Sequence, residues 1–346
     1  MSAIDVGEEV RELTPHQQEV GCGRVTIQDV VSVHQAIAPL IHRTPLLTCK
    51  AISATVSTSA LPIELFFKCE NFQKTGSFKA RGALNAVRQL SDEEKKKGVC
   101  THSSGNHAQA LAFAAQTFGI PAHVVMPQNA PAVKRTAVAE TYKGNVIECG
   151  NLPADREAVC KEVIASTGAH FVHPANDLRV IAGQGTVALE ILQELKDLHV
   201  VVVPVGGGGL SSGTCITVKS LRPDVLVFGA EPLGADDAYR SLQAGYIIPQ
   251  TSPKTIADGL RTSIYDNTFA ILSKNVDRII TVDEDAIIAA NRLIWQRAKI
   301  VVEPSSAVTL AAVMSPVFEE ATVNLRASTP GPLKVALILS GGNVEF

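Results

Sequence analysis

Val200-Val201-Val202-Val203-Pro204-Val205-Gly206-Gly207-Gly208-Gly209 is an apolar run that stops at four glycines, and a helical pattern continues over Leu210 to Leu221. An unbroken run of β-branched residues reads as a strand buried on both faces, as in a parallel sheet. A flexible linker has no place between such a strand and its crossover helix. Backbone N–H groups bare of Cβ at a helix N-terminus make an anion site, suited above all to phosphate. A dinucleotide fingerprint would need G-x-G-x-x-G and an acid about 20 residues on. Asp224 lies near that distance, but it comes after Arg222-Pro223 in a loop before the next strand.

The same alternation extends in both directions. Upstream, Leu65 to Cys69 reads as a strand before a helix from Lys79 to Leu90. Val99 to Thr101 leads to a helix from Asn106 to Phe118, and His123 to Met126 to a helix through Lys134 and Ala139. Val146 to Glu148 leads to a helix from Arg156 to Ser166, and Phe171 to His173 closes that series. Downstream come the strands Leu226 to Gly229, Arg278 to Thr281 and Val335 to Leu339, with a long helix expected over Asp285 to Val301. Thr26 to Ile41 has the spacing of an amphipathic helix. The pattern predicts an α/β fold of two open parallel-sheet units with right-handed crossovers. Ligands in such folds gather outside the carboxyl ends of the strands, so the chemistry belongs in the strand-end loops.

Composition narrows the class. An apolar share of 46% and a charged share of 19% suit an ordinary globular protein with a large core. A net charge of −3, with no dense Lys/Arg stripe, leaves no footprint for nucleic acid. The seven cysteines are scattered, with no C-x-x-C pair, which reads as reduced thiols in an intracellular, cytoplasmic protein. Residues 1–24 are polar, without the apolar core of a signal peptide, and no apolar run reaches membrane-span length.

Several strand-end segments carry chemistry. Lys74-Thr75-Gly76-Ser77-Phe78-Lys79-Ala80-Arg81-Gly82 places Lys79 after a small-residue turn at a helix start. A lysine there can lose water on one side and lower its pKa, as attack on a carbonyl requires; alone, it reads equally as a solvated helix end. Ser103-Ser104-Gly105-Asn106-His107 is either a helix cap or a carboxylate site built from helix-start N–H groups. Ser340-Gly341-Gly342-Asn343 comes directly after the last strand. Glu231-Pro232-Leu233-Gly234-Ala235-Asp236-Asp237 is either an acidic turn or a hard-cation site. Arg156 offers a forked carboxylate donor, with His102 beside the same loops, unless Arg156 is a surface residue.

In combination these motifs resemble the fold type II pyridoxal-phosphate enzymes, the tryptophan synthase β-like group, and within it the serine racemase and serine/threonine dehydratase family. The likeness runs from Val25 to Val344. It implies a large cofactor-binding domain of residues 25–98 and 177–346 and a small domain over 99–176; the polar residues 1–24 before it read as a disordered extension. It implies that Lys79 links to pyridoxal 5'-phosphate, that Phe78 and Asn106 flank the ring, that Gly206, Gly207, Gly208, Gly209 and Leu210 hold the phosphate, and that Ser340 meets the pyridine nitrogen. Family dehydratases carry Ala where Ser104 stands, whereas racemases carry Ser. Racemisation needs a proton carrier on each face of Cα, so Lys79 and Ser104 form the implied pair, with Ser103, His102 and Arg156 toward the substrate.

The implied reaction is serine racemisation with side dehydration to pyruvate and ammonia. The alternatives are a threonine or 3-hydroxyaspartate ammonia-lyase, an aspartate racemase, or an idle metabolite-binding regulatory subunit. The resemblance further implies Mg²⁺ or Ca²⁺ on Glu231, Ala235 and Asp237, and Asn267 is a candidate for a second ion. It also implies a homodimer and ATP as an activator through Lys74, Thr75, Gln109, Tyr142, Lys299 and Asn343. The chain departs from the family at three places: Ala175 replaces a residue near the ring, Cys49-Lys50 replace a Ser-Ser pair of the nucleotide-binding relatives, and the loop Gly150 to Asp155 lacks the serine run of the related aspartate racemases, which counts against aspartate as substrate.

Overall fold

A computed structural model describes residues 25–58, 62–103, 105–130 and 132–344; the expected N-terminal extension, Cys22 and Ser104 lie outside them. The strands are β1 (Leu46–Thr48), β2 (Ile63–Cys69), β3 (Val99–His102), β4 (Ala122–Pro127), β5 (Asn145–Cys149), β6 (His170–Phe171), β7 (Val200–Pro204), β8 (Leu226–Pro232), β9 (Arg278–Val282) and β10 (Leu333–Leu339). They form a six-stranded sheet in the order β1-β2-β10-β7-β8-β9 and a four-stranded sheet in the order β5-β4-β3-β6. All pairings are parallel except β1 on β2, an antiparallel edge that the strand-helix alternation does not announce. Val200 to Val203 are each 0% exposed, because β7 lies between β10 and β8 with helices on both faces. Each such side chain contributes roughly 1.5–3 kcal/mol of burial, which is why the run reads so clearly.

Close helix contacts bring the strand ends together. The helix Leu178–Glu194 packs against both the Lys79–Arg88 helix and the Gly209–Leu221 helix. A Cβ at Gly183 would lie 2.6 Å from Gly82 Cα, and one at Gly213 would lie 2.5 Å from Gly185 N. Backbone meets backbone at both crossings. Beside them Arg81, Glu70, Glu190 and Lys68 form an ion network whose side chains are 0% exposed.

Two expected helices end early. The first is Ile27–Ile37, opened by a Thr26 capping box, and Pro39 limits the next residues to a short 3₁₀ turn. The helix expected over Asp285 to Val301 runs Glu284–Leu293, continues as a π turn over Ile294–Ala298, and stops at Lys299 with φ 60°. The stop has a packing cause: Ile300 and Val302 must enter the core, and Trp295 Nε1 donates to Val302 O at 2.9 Å. The six described cysteines are free thiols. No described helix is long and apolar enough to cross a membrane.

Candidate active site

The carboxyl ends of β2 and β10 are laced together by a Ser77–Gly341 bridge and by the Phe78 N–H donating to Ser340 O at 3.0 Å. Thr75 and Gly76 turn the chain with φ 63° and 70°, and the helix starts at Lys79. A side chain at Gly76 would collide with Asn343, its Cβ 2.5 Å from Oδ1. The Lys79 amine donates to Pro174 O at 2.8 Å and lies 5.0 Å from the Phe78 ring centroid. Burial lowers its pKa to about 8, against the opposing pull of the Glu303 carboxylate. Near neutrality a usable fraction of this amine is therefore unprotonated and nucleophilic.

Across from it, the glycine loop is a cradle that side chains would fill. A Cβ at Gly207 would lie 2.8 Å from the Ala175 methyl, and one at Gly208 (φ 84°) would lie 2.6 Å from Thr268 Cβ. No side chain caps the helix Gly209–Leu221, and Leu210 is buried in its first turn. Its leading N–H groups are thus open to an anion.

Asn106 is held on two sides. Its Nδ2 donates to Glu303 Oε1 at 2.9 Å and Oε2 at 3.1 Å, while Asn343 Nδ2 donates to its Oδ1 at 2.8 Å. Sequence reading misses Glu303; the one signal for it is a lone acid between Ile300-Val301-Val302 and a helix-starting Pro304. Burial raises the Glu303 pKa to about 7. Ser340 is buried, with its hydroxyl 3.2 Å from that of Ser306, which accepts the Gly341 N–H at 2.9 Å. Ser306 also escapes the sequence reading.

Glu303 makes stability depend on pH. A carboxyl whose folded pKa lies above its unfolded value costs nothing below that unfolded value, and the full penalty appears above the folded one. Glu303→Gln should match wild type below pH 4.5 and gain on it as the pH rises to 7, by up to about 3 kcal/mol. Urea titrations of cofactor-free protein check this, and a gap that stays constant across the window would refute it.

Of the residues expected toward the substrate, His102 stacks on Phe171 at 5.5 Å, and burial lowers its pKa. Ser103 Oγ accepts the Gly105 N–H at 3.3 Å, and no side chain caps the helix Asn106–Phe118. Arg156 is half-buried, and its Nε is buried without a partner.

At the acidic turn, Glu231 accepts the Ala238 and Tyr239 N–H groups at 3.1 and 2.9 Å, and Asp237 accepts the Ile264 N–H at 2.8 Å. Asp237 Oδ1 is buried without a partner. Burial raises both carboxyls, Glu231 well above its ordinary value and Asp237 to about 6. Uncompensated buried carboxylates are the donor set a hard cation fits. Among the described residues no group of three or more His, Cys, Asp or Glu side chains is arranged to hold a metal ion. Asn267 is engaged elsewhere, donating from Nδ2 to Asn176 O at 3.0 Å.

Of the nucleotide candidates, Thr75 and Asn343 meet, with Asn343 Nδ2 donating to Thr75 O at 2.9 Å beside the helix that carries Gln109. Lys74 opens the same turn. Tyr142 packs edge-on to Phe113, and Lys299 stands exposed at its helix end, so the structure groups Lys74, Thr75 and Asn343 more tightly than the other candidates.

Comparison with known proteins agrees with this geometry. The chain is 47% identical to "Serine racemase" of Dictyostelium discoideum over 324 residues, 93% of this chain and 96% of that protein. It is 46% identical to "beta-hydroxyaspartate dehydratase" of Paracoccus denitrificans, covering 93% of this chain and 97% of the other. The structure of maize serine racemase superposes with a TM-score of 0.88 at 43% identity, covering 93% of this chain and 95% of that one. The family described as "Pyridoxal-phosphate dependent enzyme" matches residues 37–341. A lysine amine out of bulk water, a cradle only glycine can line and an asparagine clamped beside it fit that cofactor, and by this match the chain belongs to the pyridoxal-phosphate dependent enzymes.

Proposed function

We propose that the chain racemises serine and, as a side reaction, dehydrates it to pyruvate and ammonia. The observation that carries this reading is the Lys79 amine, lowered to about 8 and set at the strand ends opposite the glycine cradle. When bound, pyridoxal phosphate supplies the electron sink that lets Cα release its proton. Phe78, Lys79, Asn106, Gly206 to Leu210 and Ser340 hold it. Lys79 takes or returns the proton on one face of Cα, and Ser104 does so on the other. Ser103 and the open N–H groups at the start of the Asn106–Phe118 helix hold the α-carboxylate, with His102 and Arg156 toward the β-side. The sequence similarity to serine racemases supports the substrate.

Ser104→Ala should lower racemisation by about 10²–10⁴-fold while elimination from L-serine changes by less than about 10-fold. Chiral chromatography and ammonia release measure the two. Equal loss of both would end the two-carrier assignment.

A second reading, elimination from 3-hydroxyaspartate, is supported by the similarity to the Paracoccus dehydratase and by the unpartnered Arg156 Nε, a donor suited to a β-carboxylate. A panel of L- and D-serine, threonine, aspartate and 3-hydroxyaspartate separates the readings. Mg²⁺ or Ca²⁺ on Glu231, the Ala235 carbonyl and Asp237 would hold the acidic turn. A cytoplasmic homodimer, with ATP as an activator at Lys74, Thr75, Gln109, Tyr142, Lys299 and Asn343, completes the proposal by family likeness.

A further inference from the structure

Four rings run in contact along the site. Tyr265 stands edge-on to His173 at 4.4 Å, His173 edge-on to Phe171 at 6.0 Å, and Phe171 stacks on His102 at 5.5 Å. Tyr265 has no role in the chemistry described so far. It is the N-cap residue of the helix Asp266–Asn275, and its N–H donates to Thr268 Oγ1 at 2.8 Å. Thr268 is also the residue that walls Gly208, so one helix start aims the phenol and shapes the cradle.

The ring leans over the glycine loop. Its Cε2 lies 3.4 Å from the point a Gly207 Cβ would occupy, and the Ala175 methyl lies 2.8 Å from that point. A small residue at 175 leaves room there. His173 accepts the Ala175 and Asn176 N–H groups at Nδ1, and burial together with the nearby Lys79 charge lowers its pKa to about 4. The ring beside Tyr265 is therefore neutral at working pH, with its proton on Nε2.

The phenol itself stays protonated, because burial raises its pKa and Glu157, on the helix Pro153–Thr167, adds to the rise. Tyr265 is half-buried, no described group hydrogen-bonds its hydroxyl, and the hydroxyl is not sealed from water. It therefore reaches solvent, a donor without an acceptor among the described residues. The other ends of a bound amino acid are already served: the amine by the Lys79 side, the α-carboxylate by the helix start at Asn106. What remains beside Tyr265 is the substrate side chain.

We propose that Tyr265 is a specificity-determining residue whose hydroxyl donates a hydrogen bond to an oxygen on the β-carbon of the bound amino acid. This rests on the amino-acid substrate proposed above. A site built to bond a substrate oxygen discriminates against the analogue that lacks it.

The test uses holoenzyme, wild type and Tyr265→Phe, titrated with L-serine and with L-alanine, which keeps the α-centre and lacks the β-oxygen. Binding is read from the change in cofactor absorbance, independently of turnover. Tyr265→Phe should weaken serine about 10-fold and alanine less than about 2-fold, the size of one lost hydrogen bond. Equal weakening of both would assign Tyr265 to packing alone and overturn the proposal, as would no change in either. Wild type that binds neither amino acid would instead bring down the substrate reading, and this inference with it.

Discussion

Lys79→Ala should remove turnover by at least about 10³-fold on every substrate the wild type accepts, because the proposal gives this one side chain both the link to the cofactor and the proton on one face of Cα. The protein itself should survive the change. Among the described residues the amine makes a single hydrogen bond, to Pro174 O, and Lys79 is the first residue of its helix. Far-ultraviolet circular dichroism should therefore match wild type, and the cofactor phosphate should still find the glycine cradle. The visible absorbance of the covalent lysine linkage should vanish. Turnover within about 10-fold of wild type, with the fold intact, would transfer the role to another group.

Arg81→Ala destabilises the protein by about 3–5 kcal/mol, the cost of leaving buried charge unpaired. The guanidinium is bidentate to Glu70, with Nε to Oε2 and an Nη2 contact to Oε1 both at 2.8 Å, and Nη1 donates to Glu190 at 2.7 Å. Lys68 Nζ meets the other Glu190 oxygen at 2.6 Å. Two buried carboxylates are thus balanced by two buried cations. Burial alone would push the Glu190 carboxyl up; Arg81 and Lys68 outweigh it and hold the pKa below the ordinary value. Without Arg81, Lys68 alone faces two carboxylates. Arg81→Lys should restore less than half of the loss, since an ammonium cannot reproduce the planar fork. Chemical denaturation measures both variants, and a loss under about 1 kcal/mol for Arg81→Ala would show that the network relaxes or hydrates.

How legible each feature is in the sequence depends on how locally it is written. Val200 to Gly209 announces itself because a buried strand, a glycine cradle and a helix start are contiguous. The helix Asn106–Phe118 is readable to the residue, since Gly105 and Gly119 mark both ends. The Asp285–Val301 expectation overshoots because apolar spacing continues past Ala298, while the backbone turns to bury Ile300 and Val302. Glu303 looks like any isolated acid, and Tyr265 like any loop aromatic. Position before Pro304 is the one local hint for Glu303, and Tyr265 has none, because the partners that define them, Asn106 and His173, come from distant segments.

The sequence by itself determined the α/β class and the family and singled out the lysine and the glycine run now proposed for the site, because each is encoded by a short run whose backbone conformation is set by its own residue types. Only the tertiary structure decided which groups tune that lysine and that asparagine. Burial around Lys79, the Glu303–Asn106–Asn343 clamp, the Arg81 network and the phenol over the cradle all depend on desolvation and on contacts between remote segments. Those quantities exist only once the chain has closed on itself.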